Sequence, residues 1–212
     1  MLYNPGIKCS AMEKDIEETI KSYDRNAERY SKTYNLAYIE KQLKFYVENF
    51  KGKRILDIGC GPGRDAAYFS EKGFEVVGID LSEELLKIAR KNSPNLEFYI
   101  QDMRNLGFEP DSFDGIWACS SFMHAPYKDA RSTLRGFNRI LKPDGLMFLC
   151  VLEGEGERME KTPRFFEDNR FFAYYSEECI ESLIDNADFR TISCEVEAKP
   201  RGNWINLFCR KR

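Results

Sequence analysis

Three glycines stand at alternate positions in the stretch ILDIGCGPGRDAAYF (residues 55–69): Gly59, Gly61 and Gly63. Glycine costs backbone entropy and packs nothing, so glycines between an apolar run and a helical pattern imply a backbone that approaches something closely. Two acids follow, Asp80 lying 21 residues after Gly59 and Asp102 another 22 residues on, each closing an apolar run. At the end of a second strand, a carboxylate can accept hydrogen bonds from both hydroxyls of a ribose. Asp57 places negative charge beside the glycines, which disfavours a pyrophosphate and favours an ammonium or sulfonium group. The dinucleotide fingerprint G-x-G-x-x-G needs a small residue at position 64, where the chain has Arg64, and no G-x-x-x-x-G-K-[ST] string occurs. The pattern present is D-x-G-x-G-x-G, from Asp57 to Gly63.

These residues need elements to hold them. Near-continuous apolar runs at 54–59, 74–80, 96–102, 113–120 and 146–152 read as strands covered on both faces. Helical patterns fall between them at about 64–72, 83–92 and 128–142, the last closed by a turn at Pro143, Asp144 and Gly145. Strand alternating with helix at this pitch predicts right-handed crossovers and a parallel sheet. The expected fold is an α/β, Rossmann-like, doubly wound seven-stranded sheet, completed by a helix at about 176–187 and strands at 189–198 and 204–210. The short link 199–203 makes the last strand antiparallel. Residues 11–50 read as two helices, opened by a Ser10–Glu13 capping box, that form an N-terminal cap. Residues 153–175 mix charge with aromatics without a period and read as a lid or excursion over the sheet rather than a core element. A single domain over 1–212 is expected.

Composition excludes several classes. Apolar residues make up 42% of the 212 and charged residues 32%, and no run approaches a membrane span. The N-terminal stretch lacks the pattern of a secretory signal, so the cytoplasm is the expected location. A net charge of −3 argues against a nucleic-acid partner, and the basic Arg210–Arg212 end reads as a solvated tail. Seven scattered cysteines without a C-x-x-C string read as reduced side chains rather than disulfides or a metal site.

Taken in order, the first strand with its glycine loop, VVGIDLS, QDM and FDGIWACSSFMH resemble the class I S-adenosylmethionine-dependent methyltransferases over nearly the whole chain. The resemblance implies S-adenosyl-L-methionine as cofactor. It places Gly59, Cys60, Gly61 and Gly63 along the methionine part, with Asp57 orienting the loop or the amino group. Arg64 either meets the cofactor carboxylate or sits on the first turn of its helix. Asp80, followed by Leu81, takes the ribose hydroxyls, Asp102 and Met103 lie along the adenine, and Ser120 comes near the sulfonium.

Methyl transfer from a sulfonium needs alignment and exclusion of water, and a base only when the acceptor arrives protonated. The one histidine, His124 in SSFMHAP, is the candidate acceptor-side base, with a pKa suited to proton removal. Tyr23, Tyr30 and Tyr34, with Phe165, Phe166, Phe171, Phe172, Tyr174 and Tyr175, are candidates to roof the pocket. The position that carries an Asn/Asp-Pro-Pro-aromatic string in nucleobase methyltransferases reads SSFM here. A small-molecule acceptor is therefore expected, the atom methylated being O, N, C or S. A non-catalytic cofactor-binding protein and a nucleotide-dependent oxidoreductase are the alternatives.

Overall fold

The computed structural model describes residues 11–33, 36–162 and 166–212. Ser10 of the expected capping box, Cys9, Tyr34 and Phe165 lie outside them. Seven strands form the main sheet: β1 (Arg54–Ile58), β2 (Glu75–Asp80), β3 (Glu97–Ile100), β4 (Phe113–Cys119), β5 (Leu141–Leu152), β8 (Phe189–Lys199) and β9 (Gly202–Lys211). Their order is β3-β2-β1-β4-β5-β9-β8, parallel except that β9 runs antiparallel to both its neighbours. From β1 the chain winds outward through β2 to β3, then returns to place β4 on the other side of β1. That reversal opens a crevice at the carboxyl ends of β1 and β4.

Helices α4 (Arg64–Glu71), α5 (Glu83–Asn92), α6 (Tyr127–Ile140) and α7 (Glu177–Asp185) pack with the sheet and split the core in two. One half gathers Ile116, Leu134, Phe137 and Tyr175, and the other Tyr46, Phe69, Trp117 and Phe148. Trp117 stacks on Phe148 with ring centroids 4.2 Å apart and meets Tyr46 and Phe69 edge-on, the offset and T-shaped arrangements that aromatic quadrupoles favour.

The sequence expectations need three corrections. The N-terminal region is three α-helices, α1 (Ala11–Arg25), α2 (Ala27–Thr33) and α3 (Glu40–Asn49), with a 3-10 turn at Leu36–Tyr38, rather than two helices. The expected turn at Pro143–Gly145 lies inside β5: Phe113 pairs with Leu141 and Gly115 with Leu146, and Asp144 takes a left-handed φ of 59° in the bulge between them. The segment 153–175 is no irregular excursion. It folds into an antiparallel hairpin of β6 (Glu157–Thr162) and β7 (Phe166–Ala173), anchored to the end of β5 where Tyr175 N–H donates to Leu152 O and Gly154 N–H to Tyr175 O.

The end of β7 is core. Phe171 joins one half of the hydrophobic interior and Phe172, at 0% exposure, the other. The Phe172 ring also carries the Arg201 guanidinium 3.9 Å above its centroid. Phe172→Ala should therefore lower the unfolding free energy by about 3–5 kcal/mol, measured by urea denaturation. A loss under about 1 kcal/mol would return the hairpin to the surface.

Candidate functional site

The glycine loop leaves β1 in a conformation that side chains resist. Gly59 and Gly61 have φ of 70° and 53°, and a Cβ on Gly59 would stand 2.3 Å from Ser121 Cβ. A Cβ on Gly61 would meet only the Tyr30 ring, at 3.6 Å, so the loop faces open space. Gly59 and Cys60 donate their N–H groups to Ile79 O, and Gly61 N–H donates to Asp80 Oδ2 at 2.9 Å. The other Asp80 oxygen accepts from Ser82 N–H at 2.8 Å. Asp80 thus ties the loop to the start of α5, and burial holds its carboxyl above the usual carboxylate range despite those donors.

Two neighbouring chambers flank the loop. The larger encloses about 830 Å³ of atom-free space, open mouth included, and reaches from Asp80, Leu81, Asp102 and Met103 to Ser120 and His124. The smaller, about 360 Å³, is lined by Asp57, Gly59, Cys60, Gly61, Arg64 and Asp65. Tyr30, Gly59, Gly61 and Cys119 border both. Of the expected site residues, all but Gly63 line one chamber or the other; Gly63 instead lets α4 approach Ala89 of α5.

Asp57 is 2% exposed, and its Oδ2 is buried with no hydrogen-bond donor. Burial, then Asp65 and Asp80, push its carboxyl well above the ordinary range, against the pull of Arg64. Asp65 is better provided for, accepting from Trp117 Nε1 at 2.8 Å and from Arg64 Nε at 2.6 Å. Arg64 is both the first residue of α4 and part of the chamber wall. The chamber therefore gathers carboxylates around a single guanidinium, an arrangement that favours a cationic group.

At the opposite end Asp102 is not an open acid. Arg104 clasps it from Nε at 3.0 and 2.9 Å, and Arg104 N–H donates to it at 2.9 Å. Ser120 closes β4 with a φ of 58°, a strained value for a side-chain-bearing residue. Its Oγ lies 3.8 Å from Cys119 Sγ and 4.0 Å from Cys150 Sγ, on strands where those two cysteines face each other in register.

Helix α1 roofs the larger chamber with Ile16, Thr19, Ile20 and Tyr23, one stripe at helical spacing. Thr19 Oγ1 accepts from Phe171 N–H at 2.8 Å, joining α1 to the hairpin. Asp24 Oδ1 accepts from Ser82 Oγ at 2.6 Å and Glu84 N–H at 3.2 Å, joining α1 to the start of α5. Sequence reasoning missed Asp24 and Arg104. Asp24 lies in the N-terminal helical stretch, but its role depends on a contact with a distant helix.

His124 lines the crevice, yet its pKa is not suited to accepting a proton at neutral pH. Burial, with the nearby Arg170 and Arg201 charges, lowers it to about 3. Nδ1 lies 2.7 Å from Phe171 O, which can only accept, so Nδ1 carries the hydrogen. The neutral ring then leaves Nε2 to accept from Tyr23 Oη at 3.0 Å.

Among the described residues no three His, Cys, Asp or Glu side chains are placed to hold a metal, and no helix is long and apolar enough to cross a membrane.

The unfolded chain protonates His124 near 6.5 and the folded chain only near 3, so between these values the unfolded state binds the extra proton. Stability from this group is present above about pH 6.5 and is lost as pH falls, by roughly a tenfold shift toward the unfolded chain per pH unit. His124→Asn should flatten that limb in urea melts at pH 4.5, 6 and 8. Parallel limbs for the two proteins would contradict the buried neutral imidazole.

Residues 55–145 match the family model described as a methyltransferase domain. The methyltransferase GfsG of Streptomyces halstedii is 39% identical over 112 residues, covering 50% of this chain and 40% of that protein. The ubiquinone biosynthesis O-methyltransferase of Xanthomonas campestris is 35% identical over 106 residues, covering 48% and 44%. The chain thus spans less than half the length of these relatives. Among solved structures, 1,6-didemethyltoxoflavin-N1-methyltransferase of Burkholderia thailandensis, with bound 1,6-didemethyltoxoflavin and S-adenosylhomocysteine, superposes with a TM-score of 0.76 at 20% identity, over 99% of this chain and 93% of that one.

Proposed function

We propose, for a chain whose residues 55–145 belong to the class I S-adenosylmethionine-dependent methyltransferase family, that it moves a methyl group from S-adenosyl-L-methionine to a small-molecule acceptor. The observation that carries this reading is the pairing of a bare glycine loop with the 2% exposed Asp57 carboxyl beside it, whose Oδ2 has no donor among the described residues. The loop leaves room where Cβ atoms would stand, and Asp57 lacks the donor that an ammonium supplies.

When bound, S-adenosylmethionine supplies a methyl group on a cationic sulfur that becomes a neutral leaving group. Gly59, Cys60 and Gly61 would line its amino-acid part in the smaller chamber, with Asp57 facing the ammonium and Arg64 the carboxylate. Asp80 would accept from the ribose hydroxyls through lone pairs not taken by the N–H groups of Gly61 and Ser82. Leu81, Asp102 and Met103 would border the adenine, and Ser120 would lie toward the sulfur. Helix α1 and the hairpin would act as a cap over the acceptor half, excluding water from the transfer. A small acceptor suits that half because α1 roofs it, and the structural relative named above binds 1,6-didemethyltoxoflavin.

Calorimetry with S-adenosylmethionine, S-adenosylhomocysteine and NAD tests the reading: the first two should bind and the third should not. Asp80→Ala should weaken binding at least tenfold, and undiminished affinity would remove Asp80 from the ribose.

A second outcome follows from Asp57. Burial, with Asp65 and Asp80 nearby, holds its carboxyl well above the ordinary range in the unliganded protein, and a bound ammonium favours its ionised form. Binding should therefore release a proton, and affinity should rise as pH increases above the ordinary carboxylate range. Titrations in two buffers of different ionisation enthalpy report that proton; Asp57→Asn should bind more weakly and release none.

A further inference from the structure

We propose that Cys119 and Cys150 are an oxidation site: a hydroperoxide entering the larger chamber joins their sulfurs in a disulfide across β4 and β5, and that bond loosens the chamber's hold on the cofactor. The disulfide stands on strand geometry alone, while its effect on binding rests on the methyl-transfer reading above.

Register brings the two thiols together. β4 and β5 run parallel, with Trp117 paired to Phe148 and Cys119 to Cys150. Side chains return to the same face at every second residue of a strand, so the cysteine pair lies beside the stacked Trp117 and Phe148 rings and packs with the same half of the core. Ser120 Oγ touches both sulfurs, at 3.8 Å from Cys119 Sγ and 4.0 Å from Cys150 Sγ. The thiols also share a hydrogen bond, which draws the Cys150 thiol below its ordinary range and holds the Cys119 thiol above it.

The two differ in what can reach them. Cys119 is part-exposed and borders both chambers, whereas Cys150 is 1% exposed. Cys60 also lines the smaller chamber, but its sulfur lies 3.8 Å from Gly61 O and over Gly78 of β2, and β1 separates that strand from β4. Cys150 is therefore the partner that the fold supplies to Cys119.

The chemistry balances with hydrogen peroxide as oxidant. The pair gives one proton to solvent, and the hydrogen that remains passes to Cys150 and leaves Cys119 as the thiolate. The Cys119 sulfur attacks one peroxide oxygen, the O–O bond breaks, and the departing hydroxide takes up the solvent proton as water. Cys150 sulfur then attacks the sulfenic sulfur of Cys119, the S–O bond breaks, and the hydroxyl leaves as water with the Cys150 proton. Two thiols and one peroxide become one disulfide and two waters, sulfur being oxidised and the peroxide oxygen reduced.

Cβ atoms of in-register parallel neighbours stand one strand spacing apart, about 4.8 Å, and a disulfide holds them about 3.8 Å apart. Closing the bond therefore draws the ends of β4 and β5 together by about 1 Å. The displacement falls on Cys119 in the wall of both chambers and on Ser120, which follows it at a strained φ of 58° with its N–H on Cys150 O at 3.2 Å. Cofactor affinity should fall about tenfold, the size of one lost hydrogen bond. Linkage makes the effect reciprocal, so bound cofactor should disfavour the disulfide by the same factor and raise the reduction potential of the pair by about 30 mV.

Protein treated with hydrogen peroxide, digested without reductant and mapped by mass spectrometry should yield peptides joined through Cys119 and Cys150 that dithiothreitol separates. Pairing of Cys119 with another cysteine, or oxygen added to Cys119 while Cys150 stays a thiol, overturns the proposal. Calorimetry with S-adenosylhomocysteine should then show the tenfold loss on oxidation and its recovery in dithiothreitol, and Cys119→Ala should bind equally before and after peroxide. Equal affinities of the reduced and disulfide forms, or the same loss in Cys119→Ala, overturn the control of binding. In glutathione redox mixtures, saturating S-adenosylhomocysteine should raise the midpoint by about 30 mV, and an unmoved midpoint contradicts the coupling. A reduced protein that binds no S-adenosylhomocysteine overturns the methyl-transfer reading and the effect on binding with it, while the mapped peptides decide the disulfide separately.

Discussion

Charge imbalance at the end of β1 is the constraint on which the rest of the site depends. Asp57, Asp65 and Asp80 gather around one turn of backbone with Arg64 as the adjacent guanidinium. Two of them are provided for: Trp117 and Arg64 donate to Asp65, and the N–H groups of Gly61 and Ser82 to Asp80. Asp57 keeps a buried oxygen without a donor. Such a group is costly in a low dielectric, and the cost is relieved when a cation arrives. The fold therefore stores, beside its bare loop, a preference for one sign of charge.

The two ends of the crevice are of opposite electrostatic character. The loop end is rich in carboxylates, whereas the α1 end is backed by Arg170 and Arg201, whose charges add to burial in holding His124 neutral. Between them stands Ser120, in a left-handed conformation. The parts come from separate regions: the loop from β1, Ser120 from β4, Tyr23 from α1, Arg170 from the hairpin and Arg201 from the turn between β8 and β9. Helix α1 joins the ends mechanically. Asp24 fastens it to the start of α5 beside Asp80, and Thr19 fastens it to Phe171 beside His124.

The parallel sheet and the loop were legible because their physics is local. An apolar run read as strand, glycines where φ turns positive and an acid at a strand end each occupy a few consecutive residues, and Gly59, Gly61 and Asp80 stand where that pattern puts them. The hairpin was illegible because Phe171 and Phe172, adjacent in sequence, enter opposite halves of the core, so both faces of β7 are covered and no polar–apolar alternation remains. Arg170 is buried among them, which in a sequence reads as surface. His124 was identifiable as a crevice residue, but its basicity was not, because burial and two arginines distant in sequence set it. Asp102 read as an available acid because nothing in the string QDMR announces that the arginine two places on would fold back to clasp it.

Strand β9 has a consequence for how the molecule assembles. It follows the other described strands but lies inside the sheet, hydrogen-bonded to β5 on one side and β8 on the other. Until it docks, β5 has a bare edge carrying Phe148, Leu149 and Val151, a template for unwanted strand pairing between chains. Closure across so many intervening residues is entropically slow. The newly made protein should thus be vulnerable to aggregation just before β9 arrives, and helpers that shield apolar edges should matter in that interval.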